Sequence, residues 1–233
     1  MNSFVRIVLF CAFLFVFANG SAQILSGPLA KGCTFGIDVG YNSSELYGSF
    51  KDELNEGTAT NYEPSKFKAV GKNAVDVDLN IFIKLSKIVY IKTGFGYTEH
   101  GGKFLNTRLT YPVDVTLDYV NVPLGVGINP VIFRRFSVAL EGGFHYGLEL
   151  SSEQEFVKGI GPKVHQNRYI PGYFFSGSIL GSISSHWAIK ASYRYSKALR
   201  PFHENETRYG KWDGLQLSSK ATAFSVGVVY SIK

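Results

Sequence analysis

Phe136-Ser-Val-Ala-Leu-Glu-Gly-Gly-Phe-His-Tyr-Gly-Leu148 is the stretch on which the fold turns. Phe136, Val138, Leu140, Phe144, Tyr146 and Leu148 share one parity, and Ser137, Ala139, Glu141, Gly143, His145 and Gly147 the other. A period of two places alternate side chains on opposite faces of an extended strand. Working outward, seven further stretches repeat it. Before it come Phe35 to Tyr41, Val75 to Ile83, Val89 to Tyr97 and residues 115–127. After it come residues 169–183, Trp187 to Ser196 and Phe224 to Ile232, with Tyr173-Phe174-Phe175 blurring the phase of the sixth.

The connections alternate in length. Tight turns are expected near Ser86, at Asn129-Pro130 and at Ser184-Ser185; long loops are expected over about 42–73, 98–113, 150–168 and 197–219. An even strand count with short turns at one rim and long loops at the other is the pattern of outer-membrane barrels. The expected fold is therefore all-β: an eight-stranded antiparallel up-and-down transmembrane β-barrel with short periplasmic turns and long extracellular loops.

Period alone does not say which face is wet, because a soluble barrel keeps its greasy side inward. The polar parity here is built of small residues such as Gly94, Gly96, Ala139, Gly143, Ser192, Ser225, Gly227 and Ser231. Those suit a narrow interior, which an eight-stranded barrel fills with side chains. The apolar parity carries Tyr41, Tyr97, Phe136, Tyr146, Trp187, Tyr195 and Tyr230 near strand ends, as interfacial girdles do. Outward-facing apolar residues are the expectation.

The N-terminus reads as an export signal. Arg6 precedes an apolar run from Ile7 to Phe17, too short to span a bilayer, and Gly20-Ser21-Ala22 offers small residues for cleavage before Gln23. Residues 1–22 are expected to be removed, leaving 23–233 as one barrel domain. The mature chain then holds 23 basic and 18 acidic residues with no basic run, which argues against nucleic-acid binding. Its mild positive charge suits phosphate-rich lipid headgroups. Cys11 leaves with the signal, so Cys33 is a lone thiol with no intramolecular disulfide to form.

On the inner parity, Asp38, Asp76, Asp78 and Glu141 share a lumen with Lys92, Lys190 and Arg194, and His145 lies near its outer end. Buried charges must be paired, so an ionic lumen network is expected. Ser137, Glu141 and His145 share a face but stand four residues apart, about 13 Å at 3.3 Å per residue, too far for a catalytic relay. No catalytic, cofactor or metal site is expected; His100, His165, His186 and His203 lack ligand spacing. Arg200, Phe202, Tyr209, Lys211 and Trp212 in the last loop are candidates for contacting lipopolysaccharide, sugars or a protein partner. The chain end, with Gly227, Tyr230 and Ile232, matches the pattern read by barrel-assembly machinery, except that Ile232 stands where an aromatic is usual and Lys233 follows.

Tyr119-Val-Asn-Val-Pro-Leu-Gly-Val126, Leu140-Glu-Gly-Gly-Phe144 and Ser192-Tyr-Arg-Tyr-Ser196 together resemble the PorT-type outer-membrane β-barrel family of Bacteroidetes. Asn121 stands where that family commonly has Glu. These motifs are architectural. The expected role, read from the residues, is a non-enzymatic scaffold or interaction module of the outer membrane; the resemblance adds the expectation of a link to a secretion or envelope complex. A passive pore and a lipid-modifying enzyme are the alternatives left open.

Overall fold

The computed structural model describes residues 27–30, 32–47, 67–106, 113–154, 165–166, 169–200, 203–204 and 216–232. Among these, eight long strands form the wall: β1 (Cys33–Tyr47), β2 (Phe67–Lys84), β3 (Val89–Asn106), β4 (Val113–Ile128), β5 (Phe136–Gln154), β6 (Tyr169–Ser182), β7 (Trp187–Ala198) and β8 (Gln216–Ile232). Each pairs antiparallel with its neighbour in sequence. The first strand also pairs with the last, from Cys33↔Ile232 to Tyr47↔Ser218, which closes the sheet and removes both edges. Short two- and three-residue strands at Val131–Phe133, His165–Gln166 and His203–Glu204 decorate the rims. The strands that flank the long loops are longer than their alternation indicated. Chain expected to be loop at 42–47, 67–73, 98–106, 150–154 and 216–219 is strand, because backbone ladders continue where side chains turn polar.

Alternation maps onto exposure as a membrane barrel requires. Ile37, Leu79, Phe95, Leu124, Phe144, Phe175, Ile189 and Val226 all point out, and Phe144 is 66% exposed. The run Val75–Ile83 is nine residues, within the roughly 9–11 that a tilted strand needs to cross the hydrocarbon. Tyrosines edge the belt on the loop side: Tyr146 stacks on Tyr169 with centroids 5.8 Å apart, and Tyr173 meets Tyr195 at 6.4 Å. Trp187 and Tyr230, 4.8 Å apart, edge it on the turn side. In the ambiguous sixth strand, Phe174 turns inward and is 2% exposed while Tyr173 and Phe175 face outward. The strand never loses its period; an aromatic simply occupies an interior position.

Candidate functional site

The lumen is built in storeys. Its floor is apolar: Phe82, Tyr90, Ala139, Leu180, Ala188 and Val229 surround Leu29, which enters from below on a single 3-10 turn, Pro28–Ala30. Asn129, fully buried in the β4–β5 turn, holds this stopper. Its side-chain oxygen accepts from the Leu29 N–H at 3.0 Å, its carbonyl accepts from the Gly27 N–H at 2.8 Å, and its amide donates to the Val138 carbonyl at 3.0 Å. On the opposite wall, Thr34 and Ser231 face each other across the closing seam. Their hydroxyls lie 3.1 Å apart and each lies 3.1 Å from the Pro28 carbonyl. No local pattern marks this contact, because Leu29 and Asn129 are a hundred residues apart and neither belongs to a periodic run.

Above the floor, Glu141 accepts from Lys92 at 2.7 Å, Ser176 at 2.5 Å and the Tyr90 hydroxyl at 3.1 Å. Asp38 accepts from Lys190 at 2.5 Å and from the Asn80 amide at 2.7 Å. Both ammonium groups lie over the Phe82 ring, Lys190 Nζ 5.3 Å and Lys92 Nζ 6.0 Å from its centroid. Lys92 Nζ also lies 5.3 Å from the Phe174 ring centroid. An ammonium over an aromatic face gains electrostatic attraction where water is excluded.

The next storey belongs to Arg194. Its Nη2 donates to both oxygens of Asp76, at 2.6 and 2.8 Å, and its Nη1 to Asp78 at 2.5 Å. One planar fork thus satisfies two carboxylates that sit two residues apart on β2, a task a lysine's point charge does less well. Room for the acids comes from glycine. Asp38 lies opposite Gly227, and Asp78 opposite Gly96. A Cβ at Gly227 would sit 2.0 Å from Asp38 Oδ1, and one at Gly96 would sit 2.1 Å from Asp78 Oδ1.

Seven of the eight residues read as a lumen network are therefore ion-paired. His145 makes no such pair; it lines a cavity of about 30 Å³ with Arg194, His100, Asn121 and Phe174. That volume is on the scale of one or two waters. Sequence reasoning missed the polar roof beside this cavity. His100 Nδ1 lies 3.1 Å from Ser219 Oγ, with its ring edge-on to Tyr119. Asn42 donates to Thr98 at 2.9 Å and to the Glu99 carbonyl at 3.0 Å. Continuing the inner parity of β1 and β3 beyond Tyr41 and Tyr97 would have found Asn42 and His100. No hydrogen bond joins Ser137, Glu141 and His145; Ser137 is buried near the floor without a partner.

The other candidate residues divide by position. Arg200 is exposed beyond the end of β7, while Phe202, Tyr209, Lys211 and Trp212 lie outside the described residues, as do the leader and its cleavage position. Cys33 is a free, half-buried thiol. Tyr230 and Ile232 point outward, and Gly227 points inward against Asp38.

A closed eight-stranded wall, greasy outside and ionic within, has only one solvent that suits it. The chain is an outer-membrane β-barrel protein. The outer membrane protein OprG from Pseudomonas aeruginosa has the same fold: it is 10% identical with a TM-score of 0.54, covering 89% of this chain and 98% of that one. Neisserial surface protein A aligns over 86% of this chain and 99% of its own at 9% identity, TM-score 0.47. Ail of Yersinia pestis, in complex with a heparin analogue, aligns over 85% and 98% at 15% identity, TM-score 0.42. At such identities this barrel and OprG share architecture alone. No family model matches the chain, and no curated protein does.

Proposed function

We propose that this barrel is a non-enzymatic structural and interaction module of the outer membrane, with a lumen closed to ions, serving as accessory to a secretion or envelope complex. The observation that carries the reading is the stack of ion pairs across the lumen. Lys92–Glu141, Lys190–Asp38 and Arg194–Asp76/Asp78 all use their charges on one another, above an apolar floor. A conducting pore keeps its charged lining hydrated. Here the lysines are 4% and 2% exposed, so permeant ions would have to displace their partners. With no relay among Ser137, Glu141 and His145, the surface left to act is the wall and the long loops.

In this reading residues 1–22 direct export, and the barrel-assembly machinery recognises Gly227, Tyr230 and Ile232. The loop segment with Arg200, Phe202, Tyr209, Lys211 and Trp212 meets lipopolysaccharide or a protein partner. The resemblance to PorT-type barrels makes a secretion complex the first place to look for that partner. Single-channel recording of the purified protein in planar bilayers tests the closed lumen. The expected trace is flat, and reproducible open-state steps would overturn the reading. Cross-linked pull-down from native membranes then tests the scaffold role, with a specific stoichiometric partner expected.

A further inference from the structure

The two rims of the barrel differ in charge. The short-turn rim is formed by segments 84–88, 129–135 and 183–186 together with the stopper at 27–30. These segments hold Lys84, Lys87, Arg134 and Arg135 and not one Asp or Glu. All four bases are exposed, and none is ion-paired to a described residue. The nearest described acids, Asp38, Asp78 and Glu141, are buried inside the lumen and bonded to Lys190, Arg194 and Lys92. No described residue on this rim neutralises its charge.

Apolar side chains are threaded between these bases. Leu85 stands between Lys84 and Lys87 and is 57% exposed; Ile132 and Phe133 precede Arg134; Ile183, exposed, opens the third turn. Arg134 adopts a left-handed backbone with φ of 42°, and its guanidinium carbon lies 5.5 Å from the Phe133 ring centroid. The rim begins where the girdle of Trp187, Tyr230 and Phe136 ends, so these bases stand at the headgroup level of the periplasmic leaflet. Greasy tips reaching up into acyl chains, with cations beside them at phosphate height, describe a lipid-facing surface and not a protein-facing one.

We propose that the short-turn rim is a binding surface for anionic phospholipids of the periplasmic leaflet, with Lys84, Lys87, Arg134 and Arg135 contacting headgroup phosphates and Leu85, Ile132, Phe133 and Ile183 seated among the acyl chains. This rests on the barrel's orientation in the membrane and is independent of its role as a scaffold. The four bases select negatively charged phosphatidylglycerol-type lipids over zwitterionic phosphatidylethanolamine. Each contributes about fivefold to local enrichment, the usual worth of one basic residue at an anionic surface.

The test uses the full mature barrel reconstituted in phosphatidylethanolamine nanodiscs doped with spin-labelled phosphatidylglycerol, and reads the motionally restricted lipid fraction. The comparison is with Lys84→Gln, Lys87→Gln, Arg134→Asn and Arg135→Gln combined; Asn at 134 tolerates the left-handed backbone. Heat-modifiable migration on gels verifies that the variant is folded. Expected are a clear preference for the anionic label in the parent and its loss, by tenfold or more, in the variant. Persistence of the preference after Lys84→Arg with Lys87→Arg is also expected. An unchanged preference in the fourfold variant would overturn the proposal, and so would a preference lost only on removing Lys197 and Lys220 at the opposite rim. Competition by millimolar inorganic phosphate would show free phosphate as the true ligand and would equally overturn it; resistance to that competition supports a lipid.

Discussion

Replacing Arg194 with leucine isolates what the lumen charges do. The guanidinium is the sole ion-pairing partner among the described residues for Asp76, whose side chain is 2% exposed, and for Asp78. Removing one member of a buried pair costs about 3–5 kcal/mol, because the charge left behind keeps its desolvation penalty and loses its compensation. Arg194 retains 20% of its side-chain exposure, so the low end, about 3 kcal/mol, is expected. Two adjacent carboxylates then face each other without a cation between them. Urea unfolding in detergent micelles, followed by tryptophan fluorescence, should show the midpoint fall by about 1–2 M at a typical slope near 2 kcal/mol per molar. Adding Asp76→Asn and Asp78→Asn to the same chain should restore most of that loss, since neutral amides carry no comparable penalty. A single Arg194→Leu variant within about 1 kcal/mol of the parent would refute the claim that these charges are buried and mutually dependent. So would a triple variant no more stable than the single one.

Leu124 faces outward at mid-wall between Thr93 and Phe144 and is 63% exposed. Leu124→Arg should cost about 2–4 kcal/mol for refolding into bilayers, whereas on a water-facing wall it would stay within about 0.5 kcal/mol. Gly227→Ala sets a methyl 2.0 Å from Asp38 Oδ1 and 2.3 Å from the Ile37 carbonyl. It should displace Asp38 from Lys190 and lower the unfolding midpoint. Joining it to Asp38→Ala and Lys190→Met should recover part of that loss if the lumen explains the glycine, and none if only recognition during assembly does.

Much of the barrel was legible because its two solvents alternate along each strand. Val75 to Ile83 and Phe136 to Leu148 declare their period residue by residue, and a lipid-facing wall demands an unbroken apolar parity. Strand ends were less visible. Beyond the belt the outer face meets water, so Asn73, Glu99 and Ser151 no longer contrast with their neighbours, although each still pairs with a neighbouring strand, at Ser43, Asp118 and Asp118 respectively. Phe174 misled for a related reason: an aromatic on the inner parity looks like a break in phase until a lysine is found beneath its ring.

What the chain determined by itself was which side chains go inside and which go out, since parity is a local property fixed by backbone geometry. It thereby named seven of the lumen charges, four acids and three bases. Which acid meets which base needed the closed sheet. Lys190 reaches Asp38 across 152 residues, and Arg194 reaches Asp76 across 118, only because β1 lies against β8 and the register sets their heights. The same holds for the stopper. Pro28 finds Thr34 and Ser231 together only once the first and last strands have joined, because two hydroxyls from opposite ends of the chain converge on one carbonyl at that seam and nowhere else.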